Sequence, residues 1–223
     1  MSFPAKTHSQ AIERSLGALS APDTMELART YYSSTSNYSG FLFTQLPDDE
    51  PNAITAADLF AASTLSIRFE AVAAKRLIFD AEKASKVEGL FRKLPDVSIS
   101  QATDADFEKM SALYSFIKSN LGRPNVKNSN RWVSASKLVA RKRPRIFPVR
   151  DNVVSTYLGI NKTRDHRWDW GVYRSIMSDN AVKEALAEFR SSLSCDRVDH
   201  DCLDREPALR LLDVALWTHA IRK

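Results

Sequence analysis

Glycine and cysteine are both scarce in this chain, with six glycines and two cysteines among 223 residues. Few glycines leave little material for loops that cradle phosphates or dinucleotides, and no phosphate-binding glycine loop occurs. The two cysteines, Cys195 and Cys202, are too few for a disulfide scaffold and fit a reduced, cytoplasmic compartment. No apolar run is long enough to span a bilayer, and the N-terminus lacks the pattern of a secretion signal. The G-x-S-x-G elbow, the H-E-x-x-H helix and the deaminase pattern H-x-E…P-C-x-x-C are also missing, which excludes the commonest hydrolase, metalloprotease and deaminase chemistries. Strand-like alternation is rare as well. An all-α fold is the expectation.

The remaining composition is that of a soluble globular protein, 43% hydrophobic and 26% charged, with a net charge of +5 that favours polyanionic partners. Residues 1–8 read as a tail, followed by an amphipathic helix with Ile12, Leu16 and Leu19 on one side. Pro22-Asp23-Thr24 opens a second helix, running to about Tyr31. The hydroxyl-rich stretch 32–40 reads either as a surface loop anchored by Tyr32 and Tyr38 or as a pocket lining. Thr55 and Asp58 form a capping box for a helix from Ala56 to about Ile67, apolar nearly all round and so expected at the centre, with Asp58 structural. Phe107, Met110, Leu113, Tyr114, Ile117 and Leu121 recur at helical spacing over 104–121. A polar connector at 122–130, GRPNVKNSN, is where two helical lobes of a single domain would meet. A helix begins at Asp179, and the last runs from Asp204 with Pro207 in its first turn. Asp213 falls on the buried stripe of that helix, between Leu209, Leu216 and Trp217. It is either a salt-bridge anchor or a second acid facing a cavity.

The stretch from Arg131 to Gly159 carries the chemistry. A helix leads into the basic run Arg141-Lys142-Arg143-Pro144-Arg145, and Pro144 and Pro148 then force extended backbone. Asp151 follows as the N-cap of a helix through Val153, Val154, Tyr157 and Leu158, with Gly159 as its stop. A carboxylate is thus presented at a helix start beside a cationic surface suited to DNA phosphates.

Pro148-Val149-Arg150-Asp151-Asn152-Val153-Val154, preceded by Phe147, resembles the catalytic-aspartate segment P-[VI]-x-D-x-x-V of the helix-hairpin-helix DNA glycosylases. Ser134-Ala135 stands where that superfamily has the Thr-Ala that opens the preceding helix, and AADLFAASTLSI resembles its buried early helix. The glycine hairpin is degenerate, since 128–133 read Asn-Ser-Asn-Arg-Trp-Val. The whole chain is also similar to an uncharacterised bacterial family.

The resemblance implies a two-lobed helical bundle and a monofunctional glycosylase. It would flip a damaged or modified base, including hypermodified bases of phage DNA, out of the duplex and leave an abasic site. Asp151 would be the catalytic carboxylate. Arg131, Ser134, Ser136, Lys137, Arg141, Lys142, Arg143 and Arg145 would contact double-stranded DNA, and Tyr32, Tyr38, Trp132, Trp168 and Trp170 would wall the base pocket. Val133 or Trp132 occupies the lyase-lysine position, and Lys137 lies a turn beyond it, out of place for covalent chemistry. Cys195 and Cys202 have the first spacing of the superfamily's iron–sulfur motif, but the next two ligand positions are Arg205 and Leu211. Cys195, Asp199, His200 and Cys202 match no common zinc site, so neither metal nor cofactor is expected. The protein is expected to act as a monomer in the cytoplasm, away from membranes. The alternative is a non-catalytic DNA-binding or regulatory module on the same scaffold. A nuclease is disfavoured by the lack of an obvious carboxylate cluster.

Overall fold

The computed structural model describes residues 5–33, 35–122, 131–162, 165–193 and 200–222, and for 5 and 200–202 the backbone alone. Among the described residues there are thirteen α-helices and no strand, as the scarcity of alternation predicts. None of these helices is long and apolar enough to cross a membrane. The first two are α1 (Ala5–Ser20) and α2 (Pro22–Tyr32), so the expected N-terminal tail is helical from residue 5. They are followed by α3 (Leu42–Gln45), α4 (Ala56–Ser63), α5 (Ala71–Ala74), α6 (Ala81–Phe91) and α7 (Asp104–Asn120). The chain closes with α8 (Arg131–Lys142), α9 (Asn152–Leu158), α10 (His166–Ser178), α11 (Asn180–Leu193), α12 (His200–Arg205) and α13 (Ala208–Ala220). A π-helical turn, Lys75–Phe79, runs on from α5.

Local chemistry sets the helix starts. Thr55 and Asp58 close a reciprocal capping box on α4, and Thr103 and Asp106 do the same on α7. The α4 helix is shorter and less enclosed than its sequence predicts. It stops at Ser63, and Phe60 is 60% exposed. Leu65 and Ile67 belong instead to an irregular turn in which Ser66 takes a left-handed φ of 60°. The last helix is also interrupted. Pro207 has no N–H and turns Glu206 away from helical geometry, so α12 ends at Arg205 and α13 starts afresh at Ala208.

One hydrophobic core runs from Ala11 to Leu216, and around it the helices associate in two groups. α1 and α2 pack with α9, α10, α11 and α13, whereas α4 packs on α8 and α7 joins α6 to α8. Because α7 and α8 pack on each other, the flanks of 122–130 belong to the same group. The chain passes between the groups after α2 and again through the non-helical segment 143–151, and α7 also packs on α10.

That segment has no strand partner, so its backbone N–H groups need other acceptors. The Val149 N–H donates to Asp213 Oδ2 at 2.9 Å, and the Arg150 N–H donates to Ser136 Oγ at 2.5 Å. The segment's own Ile146, Phe147 and Val149 are buried.

Candidate functional site

The link segment delivers Asp151 to the start of α9 as its N-cap, with Oδ1 accepting from the Val153 N–H at 2.8 Å. Gly159 ends the helix with φ at 78°, as its sequence predicts. The Asp151 side chain keeps 25% of its surface exposed and borders a cavity of about 540 Å³ where the two helix groups meet. That volume lies within the ~300–1,000 Å³ of small-molecule sites.

Three walls surround it. The first is α8, through Val133 and Lys137. Lys137 Nζ stands 4.0 Å from Asp151 Oδ2 and donates to the Leu65 carbonyl at 2.6 Å, holding the turn around Ser66 against the cavity. Burial lowers the Lys137 pKa, Asp151 draws it back up, and Arg210 lowers it further.

The second wall is α13. Arg210, Asp213, Val214 and Trp217 recur at i, i+3, i+4 and i+7, so one helical stripe presents all four to the cavity. The third is aromatic. Tyr31, Tyr38 and Trp217 form a cluster with ring centroids 6.0 to 6.2 Å apart, and Arg210 Nη2 donates to Tyr31 Oη at 2.5 Å. Gly40 also borders the cavity, and there an added Cβ would lie 2.7 Å from the Tyr31 ring.

Several sequence expectations are corrected here. Tyr38 lines the cavity, but Tyr32 is buried in the core and its neighbour Tyr31 lines the cavity in its place. Trp132 and Trp170 belong to a separate packed cluster with Tyr114 and His166, whose remaining space of about 10 Å³ has room for no more than a water. Arg150 lies over the Trp132 ring and pairs with Asp169 in that cluster. Burial there pushes the His166 imidazole down to about 4, reinforced by Lys118 and Arg167 against Asp165 and Glu108. Trp168 is half-buried edge-on to His8, outside the cavity.

The basic run is corrected most. Arg141 is buried, its guanidinium donating to the carbonyls of Phe43, Thr44, Leu46 and Pro47. Lys142 is buried as well, with Nζ 3.1 Å from Asp58 Oδ2, in contact with Asp48 and bonded to the Glu50 carbonyl at 2.8 Å. The two cations clamp the loop between α3 and α4 around Asp58, and neither can meet a phosphate. Arg143 donates to the Pro51 carbonyl and Asn52 at 2.7 Å and stacks on Phe91. Arg145 remains open to solvent, loosely paired with Asp96. Ser136 is buried on the link backbone, Ser134 is half-buried, and Arg131 packs against Gly122. Lys137 is a cavity residue rather than a surface contact.

Cys195, Asp199 and the hairpin residues 128–130 lie outside the described residues, as do the side chains of His200 and Cys202. Among the described residues no group of three or more His, Cys, Asp or Glu side chains could hold a metal. Sequence reasoning missed Tyr31, Arg210 and Trp217. The mixed polar and aromatic stripe on α13 is the signal that could have found the last two.

Fold and cavity together define an all-helical protein with a ligand-sized cleft containing two carboxylates, two cations and an aromatic wall. The chain belongs to a family of unknown function, DUF6308, whose model matches residues 24–220 and so includes every residue of the cleft. No curated protein and no solved structure matches it.

Proposed function

We propose that the protein is a monofunctional DNA glycosylase. It hydrolyses the N-glycosidic bond of a damaged or modified base, including hypermodified phage bases, rotated out of double-stranded DNA. The observation that carries the reading is the placement of Asp151, half-open at a helix start on the rim of an aromatic-walled cleft. The resemblance of the Pro148–Val154 segment to the helix-hairpin-helix acid motif agrees with it.

In this mechanism Tyr31, Tyr38 and Trp217 receive the flipped base by stacking, and unstacking is easiest for a weakened pair. As the base leaves, positive charge grows on the sugar and the fixed Asp151 carboxylate stabilises it. The same carboxylate orients and deprotonates the attacking water. With Arg141 and Lys142 internal, the phosphate contact nearest the cleft falls to exposed Arg68 beside cavity residue Ile67, with exposed Arg145 in a separate groove serving DNA that extends beyond it. The setting proposed is a monomer in the cytoplasm.

The test is incubation with DNAs of differing base modification, with and without chelator, followed by assay of abasic sites and free bases. Chelator-resistant abasic sites are expected. Metal-dependent strand breaks would point to a nuclease, and salt-sensitive binding without product to a binding module.

One observation favours a second reading. The buried Lys137 amine stands 4.0 Å from Asp151, within reach of the same sugar. If it attacks C1′, borohydride will trap a covalent adduct that Lys137→Met abolishes. The monofunctional reading expects no adduct.

A further inference from the structure

Four charged side chains line the cleft, and two of them are engaged within the protein. Arg210 donates to Tyr31 Oη at 2.5 Å, and Asp213 takes the Val149 N–H at 2.9 Å together with the Tyr173 hydroxyl. Lys137 and Asp151 remain, facing each other across part of the cleft wall with Nζ and Oδ2 4.0 Å apart.

Opposite charges that are free to close do so elsewhere in this chain. Lys142 stands 3.1 Å from Asp58, and Arg174 stands 2.9 Å from Asp104. Here each group is pinned by a different bond. The ammonium donates to the Leu65 carbonyl at 2.6 Å, and the carboxylate is fixed through Oδ1, which accepts the Val153 N–H at 2.8 Å. The Leu65 carbonyl is itself held in place. The Leu65 and Ser66 N–H groups bond back to the carbonyls of Ala62 and Ser63 at 3.2 and 3.1 Å, and Ser66 takes its left-handed φ of 60° in that tight turn. The wide spacing is therefore built into the walls of the cleft.

An ammonium has three donors, and among the described residues Lys137 uses one, on Leu65. Two polar groups held beyond about 3.5 Å are spaced for one bridging water. A water about 2.9 Å from the nitrogen and about 2.8 Å from the oxygen closes the 4.0 Å triangle with an angle of about 90° at the water, near its own bonding directions. Its oxygen then accepts from Lys137 and one of its protons points at Asp151, which leaves a lone pair for the cleft.

We infer that Lys137 and Asp151 form a two-point seat for the attacking water, with Lys137 donating to its oxygen and Asp151 Oδ2 taking its proton. The assignment rests on the glycosidic reading of this cleft and makes Lys137 the positioning residue of that reaction. The C1′–N bond breaks and its electron pair goes to the base, which gains a proton from solvent. The free lone pair of the seated water bonds to C1′, its proton passes to Asp151, and Asp151 returns that proton to solvent. Lys137 keeps its protons throughout and forms no covalent bond. One water is consumed, and a hydroxylated sugar and a neutral base are formed.

The test uses the full chain. A high-resolution crystal structure of the DNA-free protein is expected to show one water within hydrogen-bond distance of both Lys137 Nζ and Asp151 Oδ2, and that of Lys137→Met to lack it. In single-turnover assays Lys137→Met is expected to release base about 100-fold more slowly at unchanged affinity for DNA, and Lys137→Arg to recover part of that loss. Methylammonium should speed release by Lys137→Ala, whereas tetramethylammonium, which has no N–H to donate, should not.

If wild type holds the shared water but releases no base from any modified DNA, the glycosidic reading fails while the seat stands. Direct contact between Lys137 and Asp151 with no shared water overturns the assignment. So does normal release by Lys137→Met, a slowing matched by an equal loss of DNA affinity, the same response of Lys137→Ala to both ammonium ions, or a borohydride-trapped adduct on Lys137.

Discussion

Asp151 does two jobs through separate oxygens, and a single atom change separates them. Oδ1 caps α9 through the Val153 N–H, while Oδ2 faces Lys137. Asparagine keeps a capping oxygen and removes the charge, so Asp151→Asn should hold the melting temperature within a degree or two while disabling the site. Lys142 gives the opposite kind of prediction. Its side chain is wholly buried against Asp58, so Lys142→Met takes one of two cations from a buried carboxylate and leaves Arg141 Nε at 3.4 Å. Stability should fall by about 3–5 kcal/mol in denaturant titration, with no selective effect on DNA. The sequence showed the basic run but not its direction, because the acid that turns it inward lies 84 residues away on another helix. Asp58 itself was legible as structural, since its capping box is local.

Elements defined by neighbouring residues were read correctly, and elements defined by distant contacts were not. The cap and stop of α9, the box on α4 and the inward face of α7 depend on residues within a few positions of each other. Gly159 tests that locality. With φ at 78° and an added Cβ 2.8 Å from Arg14 Nη1, Gly159→Ala should cost about 1–2 kcal/mol in unfolding experiments. The cleft needed information of another kind. Its α13 wall meets Asp151 only through tertiary packing, and Tyr31 rather than Tyr32 faces it because of where α2 ends. Aromatic residues near the acid in sequence, Trp132 and Trp170, went instead into the cluster around His166.

At the scale of the whole molecule, charge and pH give the measurable consequences. If DNA binds at the cleft mouth, replacing exposed Arg68, which follows cavity residue Ile67, by Ala should flatten the salt dependence of binding by about one unit of slope. Arg141→Ala should act through stability instead, since its guanidinium holds four backbone carbonyls.

The pH profile of stability has two opposed parts. Asp213 rises from 3.8 to about 7 on folding, so the stability linked to its proton is present below the unfolded value and lost as pH rises towards 7. His166 falls from 6.5 to about 4, so its contribution is present above 6.5 and lost as pH falls towards 4. The melting temperature of wild type relative to Asp213→Asn should therefore decline between pH 4 and 7. Relative to His166→Gln it should rise over the same range.

The central claim is that one acidic side chain, held at the rim of the cleft, breaks the bond between a base and its sugar. The most direct test compares base release by wild type and Asp151→Asn on the modified DNA that wild type processes, at equal folded concentration and in chelator. The account predicts free base and abasic sites from wild type and a loss of about 100-fold or more in the variant. Equal release by the two proteins would contradict it, leaving Asp151 as a helix cap and nothing more.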